Sequence, residues 1–175
     1  MELWDVYDKD RIKTGSEIER GGILETGEYH LVVHVCIFNS KNEMLIQQRQ
    51  PFKEGWPNMW DITAGGHSVA GESSSLAAER ELFEEIGCKM DFSNMRPRFT
   101  VNFEEGFDDY YLVEVEEDKI EIDDLSLQYE EVQQVKWASK DEIFHMIDQG
   151  DFISYHKSLI EMCFDMKSRH GAYVR

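Results

Sequence analysis

Three glutamates share one side of one short helix, and no packed core asks for that. Residues 74–86 (SSLAAERELFEEI) read as a helix, with Ser73 or Ser74 as its N-cap and Gly87 where a left-handed C-terminal residue is wanted. Wound at about 100° per residue, Glu81, Glu84 and Glu85 fall within an arc of about 100°. Leu76, Leu82, Phe83 and Ile86 fill the far side, and Arg80 stands at the border. Like charges three and four residues apart each cost roughly 0.2–0.5 kcal/mol. A hard divalent cation, Mg²⁺ or Mn²⁺, takes oxygen ligands and would relieve that repulsion. A solvated acidic face is the alternative, and spacing alone leaves both open.

Composition narrows the classes. Lys plus Arg is 18 against 36 Asp plus Glu, a formal net charge of −18 over 175 residues. That argues against a general nucleic-acid binder, which needs a basic footprint, and against docking on an anionic membrane. No apolar run approaches the roughly 18 residues of a membrane span. The charged, mixed stretch Met1–Asp10 shows no signal peptide. Cys36, Cys88 and Cys163 are an odd, widely spaced set without a Cys-x-x-Cys pair, which points to a reduced, cytoplasmic protein. The length suits one domain over 1–175.

Along the chain, residues 4–7 predict a short strand, and 13–28, rich in Gly and Glu, an irregular segment. Tyr29–Phe38 (YHLVVHVCIF) is β-branched and apolar and predicts a strong strand. It turns at 39–42 into a second strand over 44–48. A loop over 49–58 precedes a short strand near 60–63, and further strands are expected at 98–103, 110–116 and 132–137. Ser139 and Glu142 form a capping box for a helix to about Gln149, and 154–169 predicts a last amphipathic helix. Phe52, Trp56 and Trp60 are expected in the core, with stacking on a base or sheathing a substrate group as the alternative. Strands with interspersed helices indicate an α/β or α+β domain.

Around the helix, Gly66, five residues, Glu72, seven residues, then Arg80-Glu81-Leu82-Phe83-Glu84-Glu85-Ile86-Gly87-Cys88 resembles the Nudix box at every fixed position. The resemblance implies the Nudix fold, a mixed β-sheet sandwiched between helices, with the box as a loop–helix–loop. It implies that Glu81, Glu84 and Glu85 ligate Mg²⁺ or Mn²⁺, that Gly66 offers a backbone carbonyl, and that Arg80 and Glu72 orient the carboxylates. It further implies hydrolysis of a nucleoside diphosphate linked to another group X, or of a similar small diphosphate, and family habit implies a homodimer. Glu81 is one candidate general base. Glu104, Glu105, Asp108 and Asp109, in an expected loop, and Glu130 and Glu131 are others.

The segment 29–61 is also similar to the Nudix subgroup that includes type I isopentenyl diphosphate isomerase. That resemblance implies that Arg49 and Lys53 bind the substrate diphosphate, a fork and a point charge. His30 and His67 match two isomerase histidines; His30 on its strand is expected to be packed, and His67 beside the box to touch substrate. The isomerase carries a catalytic cysteine where this chain has Gly65, so the hydrolase reading leads and the isomerase is the alternative.

Overall fold

The computed structural model describes residues 2–116, 119–169 and 171–173. Its strands are β1 (Leu3–Tyr7), β2 (Lys13–Glu19), β3 (His30–Phe38), β4 (Glu43–Arg49), β5 (Trp60–Asp61), β6 (Ala64–His67), β7 (Phe99–Phe103), β8 (Gly106–Glu114) and β9 (Val132–Ser139). Its helices are α1 (Ser74–Ile86), α2 (Lys140–Gln149) and α3 (Lys157–Met166). β1 and β2 form an antiparallel hairpin. The other seven strands form one sheet, in the order β5-β4-β3-β8-β7, with β6 on β3 and β9 on β4. Only β3 and β8 run parallel, so the sheet is mixed.

The continuous apolar run of β3 has a physical reason: both faces of the sheet are covered. Val33, Val35 and Ile37 point to one side with Leu45 and Tyr111, where Ala77, Ala78, Leu82 and Ile86 of α1 pack on them. Cys36, Phe38, Met44, Ile46, Tyr110 and Leu112 point to the other, against Ile143 and Met146 of α2 and Ile160, Cys163 and Phe164 of α3. All three cysteines are free and buried. Among the described residues no helix is long and apolar enough to cross a membrane.

Several expectations are corrected here. Residues 13–19 form a strand, since they pair with β1 from Leu3↔Glu19 to Tyr7↔Lys13. Asp108 and Asp109 lie within β8, held by its parallel register on β3, and not in a loop. Leu76 and Phe83 are 54% and 46% exposed: the sheet meets only a narrow stripe of α1, and two alanines fill it. Phe52 and Trp56, on the loop between β4 and β5, are also half exposed.

Candidate active site

β3 and β4 meet only at Phe38↔Met44, and β3 then pairs with β6 over Val32–Val35. The strands part there, and the gap is lined by Gly65 and Gly66 and capped by α1. The helix is held as its ends dictate. The Ser73 hydroxyl accepts from the Leu76 N–H, and Gly87, at φ 71°, donates to the Phe83 carbonyl. One cavity of about 650 Å³ opens at this gap. Of the nine residues that the two resemblances give a metal, orienting or substrate role, eight line it: Arg49, Lys53, Gly66, His67, Arg80, Glu81, Glu84 and Glu85. Glu72 stands behind Arg80, outside that lining.

Arg80 organises the box. Its guanidinium donates from Nε and Nη2 to Glu72 (2.8 and 3.0 Å), from Nη2 to the His67 carbonyl (2.9 Å), and from Nη1 to Glu81 (2.7 Å) and Glu84 (3.0 Å). Every one of its donors is engaged. Burial disfavours its charge, but the bonds to Glu72 and the charge of Glu81 outweigh it and hold the guanidinium ionised. Glu72 also accepts from the Val69 N–H at 3.0 Å, which ties the loop to the helix.

The carboxylate arc is divided in this state. Glu81 and Glu84 turn to Arg80, while Glu85 is buried and accepts from Gln47 Nε2 (2.8 Å) and the Gly65 N–H (3.2 Å). Burial pushes the Glu85 carboxyl well above the usual carboxylate range, and the nearby Glu81 charge adds to this. Burial raises Glu81 as well, against the pull of Arg80. Among the described residues no three His, Cys, Asp or Glu side chains are gathered to hold a metal ion as they stand. The donors nevertheless suit a hard cation. Glu85 is buried and Glu81 largely so, Arg80 reaches Glu81 and Glu84 but not Glu85, and a Cβ at Gly66 would overlap the Glu81 carboxylate, so glycine keeps that cradle open.

Elsewhere the wall carries the cations Arg49 and Lys53. Arg49 Nε donates to the Gly55 carbonyl (3.1 Å), with Nη1 3.9 Å from Asp61, and Lys53 donates to Glu131 (2.6 Å). Tyr155, also on the wall, donates to Asp61 at 2.8 Å. His67 lies flat on Trp4, with ring centroids 4.0 Å apart and 5° between planes, and His30 meets both rings edge-on. Burial, and then the His30 charge, lower His67 to about 4, so its imidazole is neutral at pH 7. His30 is packed, as expected, with Nδ1 unpartnered among the described residues.

Of the other base candidates, Glu104, Glu105 and Glu130 are exposed and do not line the cavity. Asp109 is fully buried, bonded to Arg11 and Thr100. Asp108 does reach the cavity, 3.2 Å from His34 Nε2, and Glu131 reaches it through its bond to Lys53. His34, Asp61 and Tyr155 escaped the sequence reading. A histidine inside the apolar run of β3 was the one signal available. Asp61 and Tyr155 carried none, since their partnership spans 94 residues.

Known proteins agree with this architecture. A Deinococcus radiodurans crystal structure superposes with a TM-score of 0.72 at 22% identity, covering 94% of this chain and 99% of that one. An isopentenyl-diphosphate isomerase of Pectobacterium atrosepticum is 36% identical over 77 residues, 44% of this chain and 41% of that enzyme. An uncharacterized Nudix hydrolase of Listeria monocytogenes is 45% identical over 168 residues, 96% of each chain. The NUDIX domain model matches residues 28–158, the stretch that carries the gap, the acidic helix, Arg49 and Lys53. With the fold, the site and a near full-length relative in accord, this chain belongs to the Nudix hydrolase family.

Proposed function

We propose that this protein is a Mg²⁺-dependent hydrolase, with Mn²⁺ as a substitute, that cleaves the diphosphate linkage of a nucleoside diphosphate-X or a similar small diphosphate in the cytoplasm. The observation that carries this reading is one cavity with an acidic helix face on one wall and Arg49 and Lys53 on another. A substrate diphosphate needs both: cations of its own to neutralise its oxygens, and fixed positive side chains to aim it.

In this reading Glu81, Glu84 and Glu85 hold the divalent ion, with the Gly66 carbonyl beside them. When bound, the ion polarises the phosphoryl oxygens and lowers the pKa of attacking water. Arg80, anchored on Glu72, keeps Glu81 and Glu84 at the cavity and would yield them as the ion enters. Arg49 grips the diphosphate as a fork and Lys53 as a point charge, each exchanging a protein carboxylate for a substrate oxygen. His67, neutral at pH 7, offers a hydrogen bond without adding charge.

The partial similarity to an isomerase supports a second reading, but Gly65 opposes it. A Cβ there would lie 2.8 Å from His34 Nδ1 and 2.9 Å from the Val33 carbonyl oxygen, so this gap is built for glycine. The test is a panel of nucleoside diphosphate-X compounds and isopentenyl diphosphate with Mg²⁺ and Mn²⁺, read by released phosphate after phosphatase treatment and by dimethylallyl product. Turnover of a diphosphate that Glu84→Gln plus Glu85→Gln abolishes in a folded protein is the expected result. Retained turnover in that variant, or isomerisation by the wild type, would overturn it.

A further inference from the structure

The cavity is not built from the family-matched stretch alone. Residues before 28 lie outside that match, yet Glu2 and Arg20 from the β1–β2 hairpin line the cavity. We infer that this hairpin is the wall that selects X, and that Arg20 takes an anionic group, phosphate or carboxylate, carried on X. The inference rests on the hydrolase reading of the same cavity.

Arg20 is held at the cavity by a chain of contacts that starts in the box. His67 stacks on Trp4, Trp4 Nε1 donates to Glu2 Oε1 (2.7 Å), and Arg20 Nη1 donates to Glu2 Oε2 (3.1 Å). The Arg20 N–H also donates to the Glu2 carbonyl at 3.0 Å, which fixes its Cα at the hairpin end. The tether reaches the guanidinium through one nitrogen only. Nε and Nη2 make no hydrogen bond among the described residues, and the side chain is 58% exposed. An exposed Arg–Glu pair adds little to stability, so a ligand anion can replace Glu2 at little cost.

The other cavity cations are more fully committed. Arg80 has all its donors in use and Lys53 is bonded to Glu131; Arg49, bonded through Nε alone, is 18% exposed, stands beside Asp61 and is given to the diphosphate in the proposed function. Arg20 therefore keeps an open planar fork, which matches the two oxygens of a carboxylate or a terminal phosphate. In a chain of net charge −18, a cation placed at the cavity rim also offsets the field that repels such a substrate.

The test uses matched pairs that differ by one anionic group on X: UDP-glucuronate against UDP-glucose for a carboxylate, and NADPH against NADH for a phosphate, with the adenosine half taken as X in the second pair. Specificity, kcat/KM, is measured with Mg²⁺ for the wild type, Arg20→Ala and Arg20→Lys. Binding is measured in parallel by calorimetry in EDTA. The wild type should favour the anionic member of at least one pair by about tenfold, Arg20→Ala should bring that ratio to within about twofold of unity, and Arg20→Lys should fall between. The carboxylate and phosphate arms tell which anion is read. A ratio near unity in the wild type for both pairs, or a preference that survives Arg20→Ala, overturns the assignment, as does an absence of both binding and turnover for all four compounds. No turnover with a binding preference that Arg20→Ala erases condemns the hydrolase reading and supports the role of Arg20.

Discussion

The side-chain amide of Gln47 on β4 donates to Glu85 on α1 at 2.8 Å, and both residues are buried. The bond crosses the gap between the sheet and the acidic helix and holds a carboxylate where solvent does not reach. Glu85 Oε2 also accepts from Gly65, so one oxygen serves two donors and the other is left to the cavity side.

That arrangement predicts a stability–function conflict at Glu85. Its folded pKa is raised above the ordinary 4.5 by burial, so between the two values the folded state binds more protons and stability falls as pH rises. Glu85→Gln keeps a carbonyl oxygen for Gln47 and Gly65 and removes the charge. Chemical denaturation at pH 7 should show the variant about 1–2 kcal/mol more stable, with the gap narrowing toward pH 4. Mg²⁺ should raise the melting temperature of the wild type more than that of the variant. A variant less stable than wild type at pH 7 would falsify the claim that this charge is under-compensated.

The Trp4–His67 stack predicts an acid limb. His67 sits at about 4 in the folded state against an ordinary 6.5, so between these values the unfolded chain binds the extra proton and stability drops as pH falls. This residue should contribute a loss on the order of 1–3 kcal/mol between pH 6.5 and 4. His67→Phe preserves a flat ring on Trp4 and cannot titrate, so its melting temperature should decline less over the same range. Parallel declines in the two proteins would mean that the stack does not depress the histidine.

Gly65 should tolerate no side chain. Its missing Cβ leaves room for the His34 ring, which stacks on Tyr110 at 4.7 Å and cannot swing away freely. Gly65→Ala is expected to lower unfolding free energy by about 1–3 kcal/mol through overpacking. Adding His34→Ala relieves one of the two clashes and should recover part of that loss; the Val33 carbonyl, a backbone atom, accounts for the remainder. An unchanged denaturation midpoint for Gly65→Ala alone would show that the gap is roomier than drawn.

Asp109, one of the candidate bases by sequence, should instead prove to be a structural anchor. It is fully buried and receives bonds from Arg11, Ser74 and Thr100, joining the hairpin turn, the first residue of α1 and β7. Asp109→Ala removes the shared acceptor of Arg11, Ser74 and Thr100 and should reduce stability by about 1–3 kcal/mol. The sharper readout is Asp109→Asn in mild conditions: kcat should stay within about tenfold of wild type while the melting temperature falls. A large loss of kcat in a protein of unchanged stability would restore Asp109 as a catalytic candidate.

Sequence by itself determined what is carried by near neighbours. A helix with a serine cap, a glycine stop and a 3.6-residue period is written in contiguous residues, so α1 and its acidic arc were legible, and with them the family. The β3–β4 hairpin was legible for the same reason, as a β-branched run, a turn and its return. What the tertiary structure alone decided is which of those residues face each other. The helical wheel set Leu76 and Phe83 inward, but the sheet offers α1 only the stripe that Ala77, Ala78, Leu82 and Ile86 occupy. Lys13–Glu19, polar but for Ile18 and otherwise exposed, became a strand because β1 gave its backbone partners. Glu85 meets Gln47 across 38 residues, and Arg11 meets Asp109 across 98. Such pairings depend on strand order and register, which act at distances along the chain where no local period carries information.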